Sequence, residues 1–132
     1  MTETKEIAVA IDAAKAAGCE AINFLASPLF SVPTSHEHDI VVKSLATVRL
    51  PAIFQWPEAA EVDSLVAYGP RITDMYRQRA RMVVKALRGA SPSHIPVEQP
   101  ERFELVLNLK VAKVMGLEVP AGFVARVDKL IE

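Results

Sequence analysis

Apolar and polar residues follow two spacings along this chain, one typical of helices and one typical of strands. The predicted helices cover about residues 5–17, 34–48, 58–63, 72–88, 109–116 and 120–131. The predicted strands are short apolar runs at residues 21–26, 50–54, 65–68 and 103–108. Helices and strands that alternate in this way predict an α/β fold, with three α/β/α layers around a mainly parallel sheet. A length of 132 residues suits a single domain over residues 1–132.

Capping residues and periodicity predict where the helices end and which faces they bury. Gly18 suits the position after the first helix. Thr34 and Glu37 form a T-x-x-E capping box for the second helix, and Asn108 is expected to cap a later one. The longest helix is expected to bury a stripe of apolar residues, namely Ile72, Met75, Tyr76, Ala80, Val83 and Leu87. The last helix is expected to bury Phe123, Val124, Val127 and Ile131.

Charge and cysteine usage exclude several classes of function. The formal net charge is −1, from 15 basic and 16 acidic residues without a basic block, so no nucleic-acid partner is expected. Cys19 stands alone, which predicts neither an intrachain disulfide nor a cysteine metal cluster. The N-terminal residues carry charges and lack the apolar core of a signal peptide, so the chain as given is expected in the cytoplasm.

Three loops at predicted strand ends are the candidate ligand-binding segments. In open parallel α/β sheets, ligands bind outside the carboxyl ends of the strands. Each loop places an aromatic or hydrogen-bonding residue beside Pro or Gly, a mixture typical of small-molecule pockets. The candidate ligand-binding residues are Ser27, Pro28, Phe30, Gln55, Trp56, Tyr68 and Gly69. The alternative for Phe30 and Trp56 is that they anchor their loops on the domain.

Signals for catalysis, metals and cofactors are weak throughout the sequence. His36 and His38 lie two residues apart, whereas a helical zinc pair needs the i, i+4 spacing, so a solvated helix start is expected instead. Ser27 has no G-x-S-x-G elbow, and no glycine-rich phosphate loop occurs. The acidic residues of 58–63 have the spacing of a solvated helix face. The sequence therefore predicts no enzyme, no metal and no cofactor.

Four segments of the sequence have a recognisable pattern, namely ASPLF at residues 26–30, LPAIFQW at 50–56, AYGP at 67–70 and VEQPERFELVLNLK at 97–110. Together they resemble the ABC-transporter substrate-binding protein family of the tryptophan/tyrosine-transport type. The resemblance runs over nearly the whole chain in the family's order. It implies a periplasmic-binding-protein type I-like lobe of a two-lobed, hinge-closing receptor that passes a small solute to an ABC permease.

This chain departs from the family pattern in length and at two loop positions. Family members are more than twice as long and begin with an export signal, so the chain is expected to be the C-terminal lobe only. Ser27 stands where Asp is common, and Gln55 where Gly is common. The predicted function is binding of a small solute, with an amino acid as one option. The alternative is a non-transporting remnant or interaction module, and a homodimer through an exposed sheet edge is expected.

Overall fold

The structure is a computed structural model, and it describes residues 4–27 and 35–132. Within these residues, six α-helices alternate with five strands. The helices are α1 (Thr4–Ala16), α2 (His36–Val48), α3 (Pro57–Val62), α4 (Ile72–Leu87), α5 (Leu109–Met115) and α6 (Ala121–Val124). The strands are β1 (Ile22–Asn23), β2 (Ala52–Phe54), β3 (Val66–Gly69), β4 (Glu104–Asn108) and β5 (Lys129–Ile131). None of the described helices has both the length and the apolar composition needed to cross a membrane.

The strands form one sheet in the order β1-β2-β3-β4-β5. Strands β1, β2 and β3 are parallel to one another, β4 is antiparallel to β3, and β5 is parallel to β4. The predicted α/β fold with a mainly parallel sheet is therefore confirmed. Its layout brings the carboxyl ends of β1, β2 and β3 to the same edge of the sheet as the start of β4.

The core lies where α1, α2 and α3 meet the sheet. Ile7 and Ile11 of α1 are one helical turn apart and pack with the buried Val41 and Leu45 of α2. Small residues let α3 approach the strands closely. The core residues of the sheet and of α3 are Ala52, Phe54, Ala59, Ala60, Ala67 and Val106.

The observed caps differ from prediction at one helix start. Ser35 caps α2, since its side-chain oxygen accepts a hydrogen bond from the backbone N–H of His38. The predicted Thr34–Glu37 box is wrong by one residue, and Thr34 itself lies outside the described residues. Asn108 caps α5 as predicted, accepting from the Val111 N–H. Gly18 follows α1 with a φ of 84°, in the left-handed region where glycine is favoured.

Strand β1 is shorter and more exposed than the buried strand predicted at residues 21–26. It spans only Ile22–Asn23, with Ile22 half-buried and Asn23 exposed. In the part of the chain that the structure describes, β1 pairs only with β2 and lies at the sheet edge. Leu25 lies two residues beyond the end of β1 and is 76% exposed, so the predicted burial does not extend along residues 21–26.

The stripe predicted to be buried on α4 is not buried. The helix has the expected bounds, Ile72–Leu87, but none of its residues is buried. Tyr76, Val83 and Leu87 all stand open to solvent. The half-buried residues of α4 lie on a different side of the helix, namely Ile72, Met75, Gln78, Met82 and Ala86. Periodicity therefore predicted the helix but not its more covered side, because burial depends on which elements lie beside it.

The prediction of one long C-terminal helix is wrong. Helix α6 spans only Ala121–Val124, and residues Lys129–Ile131 form strand β5 beside β4. The Asp128 carboxylate accepts a hydrogen bond from the Leu105 N–H, and the Asp128 N–H donates to the Leu105 carbonyl. These two bonds tie the chain to β4, so strand pairing prevails over helical periodicity. Phe123 stays partly exposed.

Candidate functional site

The carboxyl edge of the sheet brings together segments that are far apart in the sequence. Gln55 directly follows β2, and Tyr68 and Gly69 end β3. Because β4 runs the opposite way, its first residue, Glu104, lies opposite Gly69. Phe103, which precedes β4, therefore joins the same edge.

An open hollow of about 520 Å³ lies at this edge. Its walls are mainly apolar, and the side-chain amides of Asn23 and Gln55 supply hydrogen-bonding groups. The lining residues are Asn23, Phe24, Leu25, Ala26, Ile53, Phe54, Gln55 and Tyr68. This combination suits a small molecule with an apolar body and a few polar groups.

Two aromatic pairs shape the hollow and its rim. The rings of Phe24 and Phe54 stack with centroids 4.8 Å apart and planes within 3°. Phe54 is buried and fixes this pair in the core. The rings of Tyr68 and Phe103 lie 5.9 Å apart, and Tyr68 is 54% exposed. Two aromatic faces thus remain open at the rim for contact with another flat group.

Gly69 is required by a close backbone approach between β3 and the loop after β2. A Cβ atom at this position would lie 2.0 Å from the carbonyl oxygen of Gln55, which is far inside van der Waals contact. Because Gly69 has no side chain, the backbone of Gln55 can lie close to β3 and beside Tyr68. The role of this glycine is to shape the hollow.

The remaining predicted ligand-binding residues lie beside the hollow or outside the described residues. Ser27 is half-buried and directly precedes the gap at residues 28–34, where Pro28 and Phe30 fall. Trp56 is half-buried at the residue before α3. Among the described residues, neither Ser27 nor Trp56 lines the hollow. Their role in binding stays a prediction.

Sequence reasoning missed Phe24 and Phe103. Phe24 belongs to the apolar run at residues 21–26, whose composition predicts a buried strand, and nothing local marks it as part of a pocket wall. Phe103 was expected at the start of a strand, but its place depends on β4 being antiparallel to β3. Strand direction is a tertiary feature, and local periodicity carries no signal for it.

A charged cluster at the start of α4 fixes that helix to the sheet. Arg71 donates from Nε to the Glu104 carboxylate at 2.8 Å and from Nη2 to Glu61 at 2.7 Å. Lys129 donates to the same Glu61 oxygen at 2.8 Å. The Glu58 carboxylate accepts from the Ile72 N–H at the first turn of α4. Arg71 bridges the Glu61 and Glu104 carboxylates, so the Arg71 cluster joins α3, the start of α4 and β4 as a structural clamp.

The Arg71 cluster overturns the prediction of a solvated acidic face over residues 58–63. The hydrogen bond from Arg71 lowers the pKa of Glu61, with burial opposing it and Lys129 assisting. The two carboxylates in turn raise the pKa of Arg71. The error has a tertiary cause, because Glu104 and Lys129 come from distant parts of the sequence.

His38 is buried, which contradicts the solvated helix start predicted at residues 36–39. Its side chain is fully inaccessible, and its Nε2 lies 2.9 Å from an Asp63 carboxylate oxygen and 3.3 Å from the Ser64 hydroxyl. Its Nδ1 has no hydrogen-bond partner in the part of the chain that the structure describes. A Ser-His-Asp triad needs the carboxylate and the hydroxyl on opposite ring nitrogens. The His38 cluster lacks that geometry and ties α2 to the end of α3.

His36 and His38 differ in burial, as their two-residue spacing on a helix implies. His36 is exposed, whereas His38 points into the core. Over residues 4–27 and 35–132, no group of three or more His, Cys, Asp or Glu side chains is placed to hold a metal ion. Cys19 is exposed.

Comparisons with known proteins assign the chain to a family. The search of curated proteins found no match. Among solved structures, "The Crystal Structure of the ABC domain in complex with L-Trp from Streptococcus pneumonia" superposes with a TM-score of 0.82 at 22% identity, covering 99% of this chain and 43% of that one. A conserved domain protein from Vibrio cholerae has a TM-score of 0.84 at 18% identity, covering 98% of this chain and 42% of that one.

A third solved structure is the ligand-free, open form of CD0873, a substrate binding protein with adhesive properties from Clostridium difficile. It superposes with a TM-score of 0.58 at 20% identity, and the match covers 99% of this chain and 42% of that one. The chain thus spans less than half the length of these structures, which share its fold. The sequence model described as ABC transporter substrate binding protein matches residues 2–131. This chain belongs to the ABC transporter substrate-binding protein family.

Proposed function

We propose that this chain is the C-terminal, solute-binding lobe of an ABC import receptor. The observation that carries the proposal is the hollow of about 520 Å³ at the carboxyl edge of the sheet. It lies where ligands bind in open parallel α/β sheets. Membership of a substrate-binding family also supports the expectation that the chain is not an enzyme.

The solute that fits this edge is a small molecule with a flat apolar group and polar ends, such as an aromatic amino acid. The exposed rings of Tyr68 and Phe103 offer faces for stacking, and Gln55 offers an amide. The structure from Streptococcus with a similar fold holds L-Trp. The full proposed ligand-binding set remains Ser27, Pro28, Phe30, Gln55, Trp56, Tyr68 and Gly69.

The open shape of the hollow explains why a second lobe belongs to the proposed mechanism. One wall cannot exclude water from a ligand, whereas two lobes that close by a hinge can bury it. The chain covers 43% of the structure that holds L-Trp. A complete receptor would close over the solute in the periplasm and release it to a membrane permease.

Thermal unfolding of the purified chain against the common amino acids, with L-Trp first, tests the proposal. A ligand at one hundred times its dissociation constant adds about 2.7 kcal/mol to the free energy of unfolding. We expect Tyr68→Ala to abolish this shift, because it removes the most exposed ring of the rim. Phe123→Ala is the matched control, since Phe123 is a partly exposed aromatic on α6 that does not line the hollow.

Two results would contradict the proposal. The first is an equal shift in Tyr68→Ala and Phe123→Ala, which would place the binding site elsewhere. The second is no shift with any compound while the protein is folded, which would mean that the lobe binds no solute by itself.

The alternative predicted from the sequence is a non-transporting module that self-associates through its sheet edge. Among the described strands, the edges are β1 with two residues and β5 with three. Each edge therefore offers few backbone groups for pairing with another copy. Self-association at a sheet edge therefore stays a prediction.

A further inference from the structure

We propose that this lobe contacts a neutral, flat ring of its solute, and that the ionised groups of the solute lie outside the hollow. The inference rests on the proposed solute-binding function and specifies which part of the solute the hollow holds. The lobe would then select its solute by the ring alone, so an amino acid would bind this chain no more tightly than its uncharged parent ring. The distribution of charged residues around the hollow leads to this inference.

The segments that contain β1, β2 and β3 and the loops after them carry no charged side chain. Residues 21–35, 50–57 and 64–70 hold no Asp, Glu, Lys, Arg or His, although charged residues make up 23% of the chain. All of the residues that line the hollow belong to these segments. Their polar side-chain groups are two amides and one phenol hydroxyl, which form hydrogen bonds without supplying a counter-charge.

The charged residues beside Phe103 face away from the hollow. Side chains alternate between the two faces of a strand, so Phe103 lies beside the Tyr68 ring, whereas Glu104 points to the other face. The Glu104 carboxylate accepts from Arg71 Nε at 2.8 Å and lies 3.6 Å from Arg102 Nε. These ions are paired with one another, and none of them lines the hollow.

The helix starts that follow β1, β2 and β3 are also unsuited to a solute carboxylate, although backbone N–H groups at helix starts often bind anions. Helix α3 begins at Pro57, which has no N–H. The Ile72 N–H at the start of α4 already donates to the Glu58 carboxylate at 3.0 Å. The first turn of α2 carries Glu37 and Asp39, which repel an anion. A solute carboxylate therefore gains little by turning toward this edge.

The cost of desolvation favours a ring in the hollow over an ionised group. An ammonium or carboxylate group pressed against this surface would lose its hydration without gaining an opposite charge. A neutral ring has no such hydration to lose, and it gains contact with the wall formed by Phe24 and Phe54 and with the Tyr68 ring. The ionised groups of an amino acid would then remain in water or, in a two-lobed receptor, face the other lobe.

Amide NMR titrations with four ligands that share the indole ring test this orientation. Skatole is neutral, tryptamine is a cation, indole propionate is an anion, and L-Trp carries both charges. We expect each ligand to shift the signals of Asn23, Gln55 and Tyr68. We also expect no charged ligand to bind more than about threefold tighter than skatole, which is the effect of one exposed ion pair.

The outcomes separate this inference from the proposed function. A charged ligand that exceeds that limit, with shifts at the hollow, would overturn the neutral-ring orientation and leave the solute site standing. If tryptamine exceeds it and Glu58→Gln removes the preference, the counter-charge is Glu58, whose Oε2 is buried without a hydrogen-bond partner among the described residues. No shift with any of the four ligands, or shifts only away from the hollow, would contradict the proposed site itself.

Matched charge variants test the cause of the expected indifference to charge. Gln55→Glu places a carboxylate in the hollow, so relative to skatole it should bind tryptamine about threefold more tightly and indole propionate about threefold more weakly. Gln99→Glu, the same change at an exposed residue outside the hollow, should retain the affinity ratios of the unmodified chain. Circular dichroism checks folding, and Asn23→Asp repeats the test at an exposed lining residue if Gln55→Glu does not fold. Unchanged ratios in the folded variant would overturn the placement of the ring in the hollow.

Discussion

Helices α2 and α4 are both amphipathic, yet the described chain covers only α2. Helix α2 buries His38, Val41 and Leu45 against α1 and the sheet. Helix α4 separates its apolar and polar residues more sharply and buries none of them. The comparison separates two properties that are often treated as one. Periodicity describes the side chains that a helix presents, whereas burial depends on what other elements place against them.

The largest expected effect contrasts one leucine from each helix. Leu45 of α2 is 5% exposed and Leu87 of α4 is 82% exposed. Leu45→Ala should lower the free energy of unfolding by roughly 2–5 kcal/mol, because it leaves a cavity in the core. Leu87→Ala should change it by less than about 0.5 kcal/mol when the chain is monomeric. Urea unfolding followed by circular dichroism, at low protein concentration, measures both.

Equal losses of unfolding free energy in Leu45→Ala and Leu87→Ala would contradict the difference in burial between α2 and α4. They would mean that α4 is packed by its own chain in solution. A loss in Leu87→Ala that grows with protein concentration would sharpen the comparison, because it would place the covering surface on a second copy.

The same contrast explains how much of the fold followed from the sequence. The bounds of α4, the Asn108 cap and the order of strands up to β4 were predictable, because each rests on local spacing or on a local hydrogen bond. Strand β5 was not predictable, because the pairing of Asp128 with Leu105 joins segments over twenty residues apart. The burial of His38 was missed for a similar reason, since its partner Asp63 lies beyond the next strand.

In the candidate site, too, residues that follow from a local rule were predictable, whereas residues placed by strand pairing were not. Gln55, Tyr68 and Gly69 were predictable from the rule that ligands bind at the carboxyl ends of parallel strands. Phe103 was not, because it precedes a strand, and only the antiparallel pairing of β4 with β3 brings it to that edge.

A prediction of intermediate size contrasts two glycines in regions of different packing. A Cβ on Gly69 would meet the Gln55 carbonyl at 2.0 Å, whereas one on Gly122 of α6 would meet nothing within 4 Å. Gly69→Ala should lower the free energy of unfolding by about 1–3 kcal/mol, because the loop after β2 must move. Gly122→Ala should leave it unchanged or raise it slightly, because alanine favours helix. Thermal unfolding measures both.

Gly69→Ala also tests the shape of the hollow. Because Gln55 is displaced, any increase in thermal stability that a solute gives the unmodified chain should be smaller in Gly69→Ala. A Gly69→Ala protein as stable as Gly122→Ala would show that β2 and β3 are not held together at this point.

The smallest expected effect concerns the clamp that fixes α4 at its first turn. The hydrogen bond from Arg71 lowers the pKa of Glu61 below the ordinary value of 4.5. A lowered folded-state pKa stabilises the fold above the unfolded-state pKa, and this contribution is lost as pH falls through the folded-state pKa. The pKa of Arg71 is raised, so the guanidinium stays charged throughout this range. Acid should therefore loosen the start of α4, whereas the apolar contacts of α2 with α1 remain.

Amide NMR spectra recorded on lowering the pH through and below 4.5 measure this difference between the two helices. We expect signals from the first turn of α4 to shift before those of Val41 and Leu45. Glu61→Gln should remove most of the pH dependence, because the neutral amide does not titrate in this range. Glu101→Gln, at an exposed carboxylate outside the Arg71 cluster, should retain it. If the signals of α2 and α4 change at the same pH, the Arg71 cluster and the core unfold as one cooperative unit. The two helices would then differ in the burial of their apolar residues but not in their stability to acid.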